Sequence, residues 1–246
     1  MLYRFFAASR PLVFAHRGGA ALARENTIEA FDNGMALGAD GIELDVRLSR
    51  DGVPVVHHDR TLDRTTALRG PLAARDADEL GRAGVPTLAS VLERYRDARI
   101  IIELKGTDAS LGRASVDAIR QARAEERVCL GGFGLRMMRA VRMLAPSIAT
   151  SAARAEVRWA LYRSWCRWPV SAVRYQGYQI PEWAGTTRVV SRRFVADAHA
   201  AGLGVQVWTI DTEEDARRLL ELGVDALITD RPDTIVPLVR AESRQR

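Results

Sequence analysis

With 246 residues, 47% of them hydrophobic and 27% charged, the chain has the make-up of an ordinary soluble globular protein and room for one large domain or two small ones. No stretch approaches the roughly 18 consecutive apolar residues of a membrane span, and two cysteines give neither a disulfide framework nor a metal-ligand spacing. The net charge of +5 favours anionic partners such as phosphates or membrane surfaces. The arginines are scattered, however, and no zinc-finger, basic-zipper or RNA-sheet motif occurs, so nucleic acid is not expected as a partner.

Strand and helix signals alternate along the whole chain. The opening run MLYRFFAASRPLVFAHRGG is broken by Arg4 and Arg10, and signal cleavage would fall in or beside the first strand, Leu12–Ala15, so a cytoplasmic protein is expected. Gly18 and Gly19 would let the backbone approach a ligand closely. Asn26-Thr27-Ile28-Glu29 signals a helix start, with Asn26 as N-cap and Glu29 reaching back. A second strand, Gly41–Val46, leads into a hairpin-like piece, Val53–His57, and a polar irregular stretch, Thr61–Gly84. Together these read as an insertion over residues 53–85. Further strands are expected at Ile100–Leu104, Val128–Leu130, Ile148–Thr150, Ala172–Tyr175, Val205–Trp208 and Ala226–Thr229. They are short apolar runs, as in strands buried on both faces. Helices are expected at Val91–Arg96, Leu111–Glu125, Leu135–Leu144, Ala153–Trp165, Ser191–Ala201 and Glu213–Leu222. The glycines in AHAAGLGV and LLELGVDAL suit helix C-caps. The tail Ala241–Arg246 is polar and expected to fray. Cys129 and Cys166 are expected as buried thiols in a reducing compartment. Alternating strands and helices predict a TIM (β/α)8 barrel as a single domain over residues 1–246. An open doubly wound sheet lacks the nucleotide loops that would support it.

In such a barrel the working face lies at the C-terminal strand ends. His16 and Arg17 end the first strand. Glu43 and Asp45, two apart on the second, point to the same side. Glu103 and Lys105 repeat that spacing on the third, and Trp208 ends the seventh. Lys105 is the single lysine among 36 basic residues, and three of the four histidines, His16, His57 and His58, fall in the first quarter of the chain. Three converging carboxylates repel one another, and a hard cation such as Mg2+ or Ca2+ relieves this, with zinc left open by the nearby imidazoles. Arg17 and Lys105 beside such a cation favour a phosphate, and two histidines across the site suit a general acid and a general base. Neighbours on a strand point oppositely, so His57 and His58 cannot both face the site. The sum reads as metal-assisted phosphoryl transfer to water or an internal hydroxyl.

The motifs HRGG (16–19), ENT (25–27), IELDV (42–46), DG (51–52), HD (58–59), PTL (86–88), IELK (102–105), WT (208–209) and ITDRP (228–232) together resemble the glycerophosphodiester phosphodiesterase family, in order and with sensible spacing. The resemblance implies a TIM barrel with a short insertion after the second strand. It implies metal binding by Glu43, Asp45 and Glu103, an acid/base pair of His16 and His58 with His57 a bystander, phosphate contacts from Arg17 and Lys105, and Trp208 near the glycerol. The implied reaction converts glycerophosphodiesters to glycerol 3-phosphate and an alcohol, by attack of the neighbouring glycerol hydroxyl and opening of a cyclic phosphate by water. Two positions depart from the family pattern: GGFG (131–134) lacks a serine before the phenylalanine, and WTID carries Asp211 where asparagine is common.

The segment Trp159–Trp183 holds four of the five tryptophans and three of the five tyrosines, close to arginines. It reads either as packing of a helix on the barrel or as an aromatic rim in contact with a membrane surface. The second reading would extend the substrate class to lysophospholipids. An inactive barrel that only binds phosphodiesters is disfavoured, because every matched catalytic position is filled.

Overall fold

A computed structural model of the chain describes residues 3–106 and 108–245. Strand β1 (Leu12–His16) leads through helix α1 (Ile28–Ala36) to β2 (Gly41–Leu48). The insertion contributes β3 (Pro54–Val56), which folds back antiparallel on β2, and α2 (Ala77–Arg82). Helix α3 (Leu88–Arg94) returns the chain to β4 (Arg99–Leu104). Next come α4 (Ala109–Gln121), β5 (Val128–Gly131), α5 (Leu135–Leu144), β6 (Ala149–Thr150) and α6 (Arg154–Trp165). The last part comprises β7 (Gly177–Pro181), a small hairpin β8 (Trp183–Ala184) and β9 (Thr187–Arg188), α7 (Arg192–Ala200), β10 (Gly204–Trp208), α8 (Glu213–Leu222), β11 (Ala226–Thr229) and α9 (Pro232–Gln245).

Eight of the strands are parallel neighbours in the order β6-β5-β4-β2-β1-β11-β10-β7, and a bridge between Ser151 and Gly177 joins the two ends. This is the expected TIM barrel. Leu, Ile and Val on the outer strand faces pack beneath the helices, as with Ile42, Leu44, Ile100 and Ile102 against Val91, Val116 and Ile119. Inside the wall, Phe14, Ile101, Cys129, Ala149 and Ile228 form a separate cluster. Phe5, carried by a 3-10 turn at Arg4–Phe6, stacks on Phe14 with ring centroids 5.8 Å apart. Arg99 holds that turn through the carbonyls of Phe5 and Ala7. The insertion has its own small core of Val55, Leu62, Leu72, Leu80 and Val85.

Several local expectations are corrected. The sixth barrel strand is Gly177–Pro181, not Ala172–Tyr175. Ala172 adopts a left-handed φ of 55°, incompatible with a strand. The true strand escapes an apolar-run criterion because Gln179 bonds Gln206 on the neighbouring strand at 2.9 Å. The N-cap of α1 is Thr27, whose hydroxyl accepts from the Ala30 N–H, while Asn26 turns toward the site. Gly18 and Gly19 serve packing: a Cβ at Gly18 would lie 2.7 Å from the Ala30 backbone, and one at Gly19 would lie 3.0 Å from Pro232. Cys129 is buried but Cys166 is exposed. The tail expected to fray continues α9 to Gln245, with Arg217 paired to Glu242, and Arg246 lies outside the described residues. Gly223 does cap α8 with a φ of 88°.

At Gly41 the wall and the floor meet. A methyl group there would collide with the Arg99 carbonyl and sit 2.7 Å from the Phe14 ring. Gly41→Ala is expected to lower stability by about 1–3 kcal/mol, the usual cost of overpacking, read as a fall in the urea midpoint at unchanged m-value.

Candidate active site

Strand register sets the site. His16 pairs with Glu43 across β1 and β2, and Asp45 pairs with Glu103 across β2 and β4. The three carboxylates therefore converge, with one oxygen from each lying within 4.8 Å of the others. Asp45 is fully buried and Glu43 nearly so. Burial, then repulsion from Asp45, pushes the Glu43 carboxyl up to about 8. Burial also raises Glu103, against the pull of Lys105.

The cations around this cluster are arranged unevenly. Lys105 Nζ lies 3.1 Å from Asp45 Oδ1 and 2.9 Å from Glu103 Oε1. The single lysine thus bridges two of the three carboxylates. Arg17 places its Nε 3.2 Å from Asp45 Oδ2 and donates through Nη1 to Glu25. Its backbone N–H donates to Glu43 at 3.1 Å. Asn26 donates to Asp45 Oδ2 at 2.9 Å and accepts from the Asp45 N–H. Arg47 bonds the carbonyls of His58 and Lys105, each at 2.7 Å, and so fixes the backbone of both.

The two expected histidines line one cavity with Glu43 and Glu103. His16 Nδ1 lies 2.7 Å from Asp230 Oδ1, and its Nε2 is 3.8 Å from Glu43. Burial opposes the imidazolium, but Glu43 and Asp230 outweigh it and raise the His16 pKa. His58 Nδ1 lies 2.7 Å from Asp59. Arg64 ties Asp59 to Glu25. Hydrogen bonds from Arg64 hold Asp59 below the usual carboxylate range. His57 is buried away from this cavity, with Nε2 3.1 Å from the Thr61 carbonyl, and burial drops its pKa to about 4. Trp208, at the end of β10, lines the cavity.

No site role for Asp230, Asp59 or Arg64 is read from the sequence, and Asn26 reads there only as a helix cap. Asp230 was within reach: in a closed barrel the last strand neighbours the first, so its terminal carboxylate must stand beside His16. The two departures from the family pattern also find their places. Asp211 accepts from the Thr229 hydroxyl and the Asp230 N–H, which seats Asp230. Gly131, Gly132 and Phe133 line the cavity, with Lys105 Nζ 5.6 Å from the Phe133 ring.

A family model described as the glycerophosphoryl diester phosphodiesterase family matches residues 16–234, a span that holds every side chain just described. The chain belongs to this family. It is a glycerophosphodiester phosphodiesterase by class, a phosphoric diester hydrolase. It is 34% identical to a glycerophosphodiester phosphodiesterase of Caldanaerobacter subterraneus, over 94% of this chain and 98% of that one. It is 33% identical to a probable glycerophosphodiester phosphodiesterase of Mycobacterium tuberculosis, over 91% of this chain and 89% of the relative. A phosphodiesterase of Oleispira antarctica, solved with the product sn-glycerol 3-phosphate, superposes with a TM-score of 0.77 at 28% identity, covering 94% of this chain and 97% of that one.

The raised Glu43 pKa has a definite sign. The folded state holds this proton more tightly than the unfolded chain, so its stabilising contribution is complete below pH 4.5 and is lost as pH rises to about 8. In chelator, the Tm of the wild type is expected to fall across that window, while Glu43→Gln flattens the fall. Thermal melts of both proteins at fixed ionic strength check this.

Proposed function

We propose that the chain hydrolyses glycerophosphodiesters to glycerol 3-phosphate and an alcohol, with a divalent cation at Glu43, Asp45 and Glu103 and proton transfer by His16 and His58. The observation that carries this reading is the three-carboxylate cluster, with one oxygen from each within 4.8 Å of the others. Hard oxygen donors at this spacing fit Mg2+ or Ca2+. Such a cation, when bound, supplies Lewis-acid stabilisation of charge on the phosphate oxygens.

The chain's own groups do the remaining work. Arg17 and Lys105 border the cluster and hold the phosphodiester by charge. Asp230 and Asp59 each fix one imidazole through Nδ1, which leaves each Nε2 for the substrate. One histidine takes the proton of the glycerol hydroxyl next to the phosphate as that oxygen bonds phosphorus. The other gives a proton to the leaving alcohol as its P–O bond breaks. Water then opens the cyclic phosphate with the proton roles reversed. Trp208 packs against the glycerol. Among the described residues no helix is long and apolar enough to cross a membrane, and a cytoplasmic location suits the two unpaired cysteines.

Purified protein with glycerophosphocholine is expected to release glycerol 3-phosphate with Mg2+ or Ca2+ and to stop in chelator. His16→Ala and His58→Ala are each expected to lower kcat by roughly 10²–10⁴-fold while calorimetric metal binding persists. Wild-type turnover in chelator would remove the metal from the reading. Full turnover by either alanine variant would remove that histidine.

A further inference from the structure

The cavity that holds the reacting groups has a volume of about 880 Å³, near the top of the roughly 300–1,000 Å³ of small-molecule sites. One glycerol and one phosphate fill only part of it. Strand β6 stands four strands from β1 in either direction around the ring. The chain leaves β6 through Ser151 and Ala152, so α6 begins across the mouth from His16 and Arg17. Arg154, Val157, Arg158 and Leu161 then line the same cavity. Their spacing of three and four puts them on one helix face.

The positive charges of this cavity fall into two groups. At the catalytic end each basic side chain is engaged: Arg17 with Glu25 and Asp45, Lys105 with Asp45 and Glu103, His16 with Asp230 and His58 with Asp59. Arg154 and Arg158 are different. Among the described residues neither guanidinium has an ion pair or a hydrogen bond. The acid between them, Glu156, is turned away: it accepts from both terminal nitrogens of Arg142 and from the Ala153 N–H. Helix electrostatics does not call for arginine at this place either. The first turn of α6 carries the positive end of the helix dipole, which favours acids over bases. Both residues are exposed, so their charge is open to whatever enters the mouth.

We propose that Arg154 and Arg158 form a subsite for the alcohol part of the substrate, and that the enzyme prefers glycerophosphodiesters whose alcohol itself bears a phosphate monoester. The inference rests on the hydrolytic reading above and names its substrate class. The glycerol is uncharged and common to all such substrates, and the bridging phosphate is served by Arg17 and Lys105. The part left for two unpaired arginines to meet is the alcohol. Two guanidinium forks on one helix face match the several acceptor oxygens of a phosphate monoester, and they repel an alcohol that carries an ammonium group. The bond cleaved is the same: the P–O bond to the alcohol breaks, a P–OH forms on glycerol 3-phosphate, and the alcohol leaves with a proton, its own phosphate untouched.

The test compares glycerol 3-phosphate release from glycerophosphoinositol and from glycerophosphoinositol 4-phosphate, both with Mg2+. The phosphorylated substrate is expected to have at least about tenfold higher kcat/KM, the scale of one charge-assisted hydrogen bond, and the preference is expected to shrink as salt is added. Arg154→Ala combined with Arg158→Ala is expected to lower the ratio of the two kcat/KM values by about tenfold or more. Arg174→Ala removes an exposed arginine away from the cavity and is expected to leave that ratio unmoved. Binding is read apart from turnover, by calorimetry with inositol 4-phosphate in chelator, where the double variant is expected to weaken it by about tenfold. If neither substrate is hydrolysed, the hydrolytic reading falls and the calorimetry still decides the subsite. Equal kcat/KM values for the two substrates would overturn the proposal. So would a ratio unmoved by the double variant, an equal loss in Arg174→Ala, or inositol 4-phosphate binding that the double variant leaves intact.

Discussion

Three carboxylates are forced together where β1, β2 and β4 end, and much of the site exists to manage their repulsion. Glu43 and Asp45 share one strand face because strand side chains alternate, and register adds Glu103 beside Asp45. Such a cluster in a low-dielectric setting is costly unless charge is neutralised. Lys105 and Arg17 supply cations at 2.9 to 3.2 Å, but Arg17 also serves Glu25. Three carboxylates therefore face two cations, one of them shared with a fourth acid.

The neighbouring groups form one connected network. His58 leans on Asp59, Asp59 on Arg64, Arg64 on Glu25, Glu25 on Arg17, and Arg17 on Asp45. Burial alone would raise Glu25, but hydrogen bonds from Arg64 and the charge of Arg17 bring it down to about 2. Glu25 therefore stays an anion between two arginines. This fixes Arg64, which belongs to the insertion, against the barrel mouth. The insertion contributes His58 through this scaffold, with its own small core to hold the shape.

Much of this was legible in the sequence, because the informative residues are scarce. One lysine, His16 and His58 among only four histidines, and paired acids at strand ends mark the working face of a barrel. Legibility failed where local pattern and tertiary role diverge. The strand Gly177–Pro181 reads as polar because Gln179 finds its partner on another strand. Asn26 looks like a cap because it precedes a helix, yet its side chain is held by Asp45, 19 residues away in sequence. Arg64 and Asp59 sit in a stretch whose irregularity gives no period to follow. The aromatic segment carries two readings in the sequence, and in the structure α6 lines the cavity along one face.

The contact between His16 and Asp230 spans 214 residues of chain. It forms only where the last barrel strand docks beside the first, so both the wall and this imidazole's partner are completed by the same event. Synthesis must therefore reach Asp230 before His16 can gain this partner. Truncated or half-assembled chains therefore lack an oriented His16 however well their early strands fold. Topology thus ties the appearance of the site to a finished barrel, through a contact of high sequence separation.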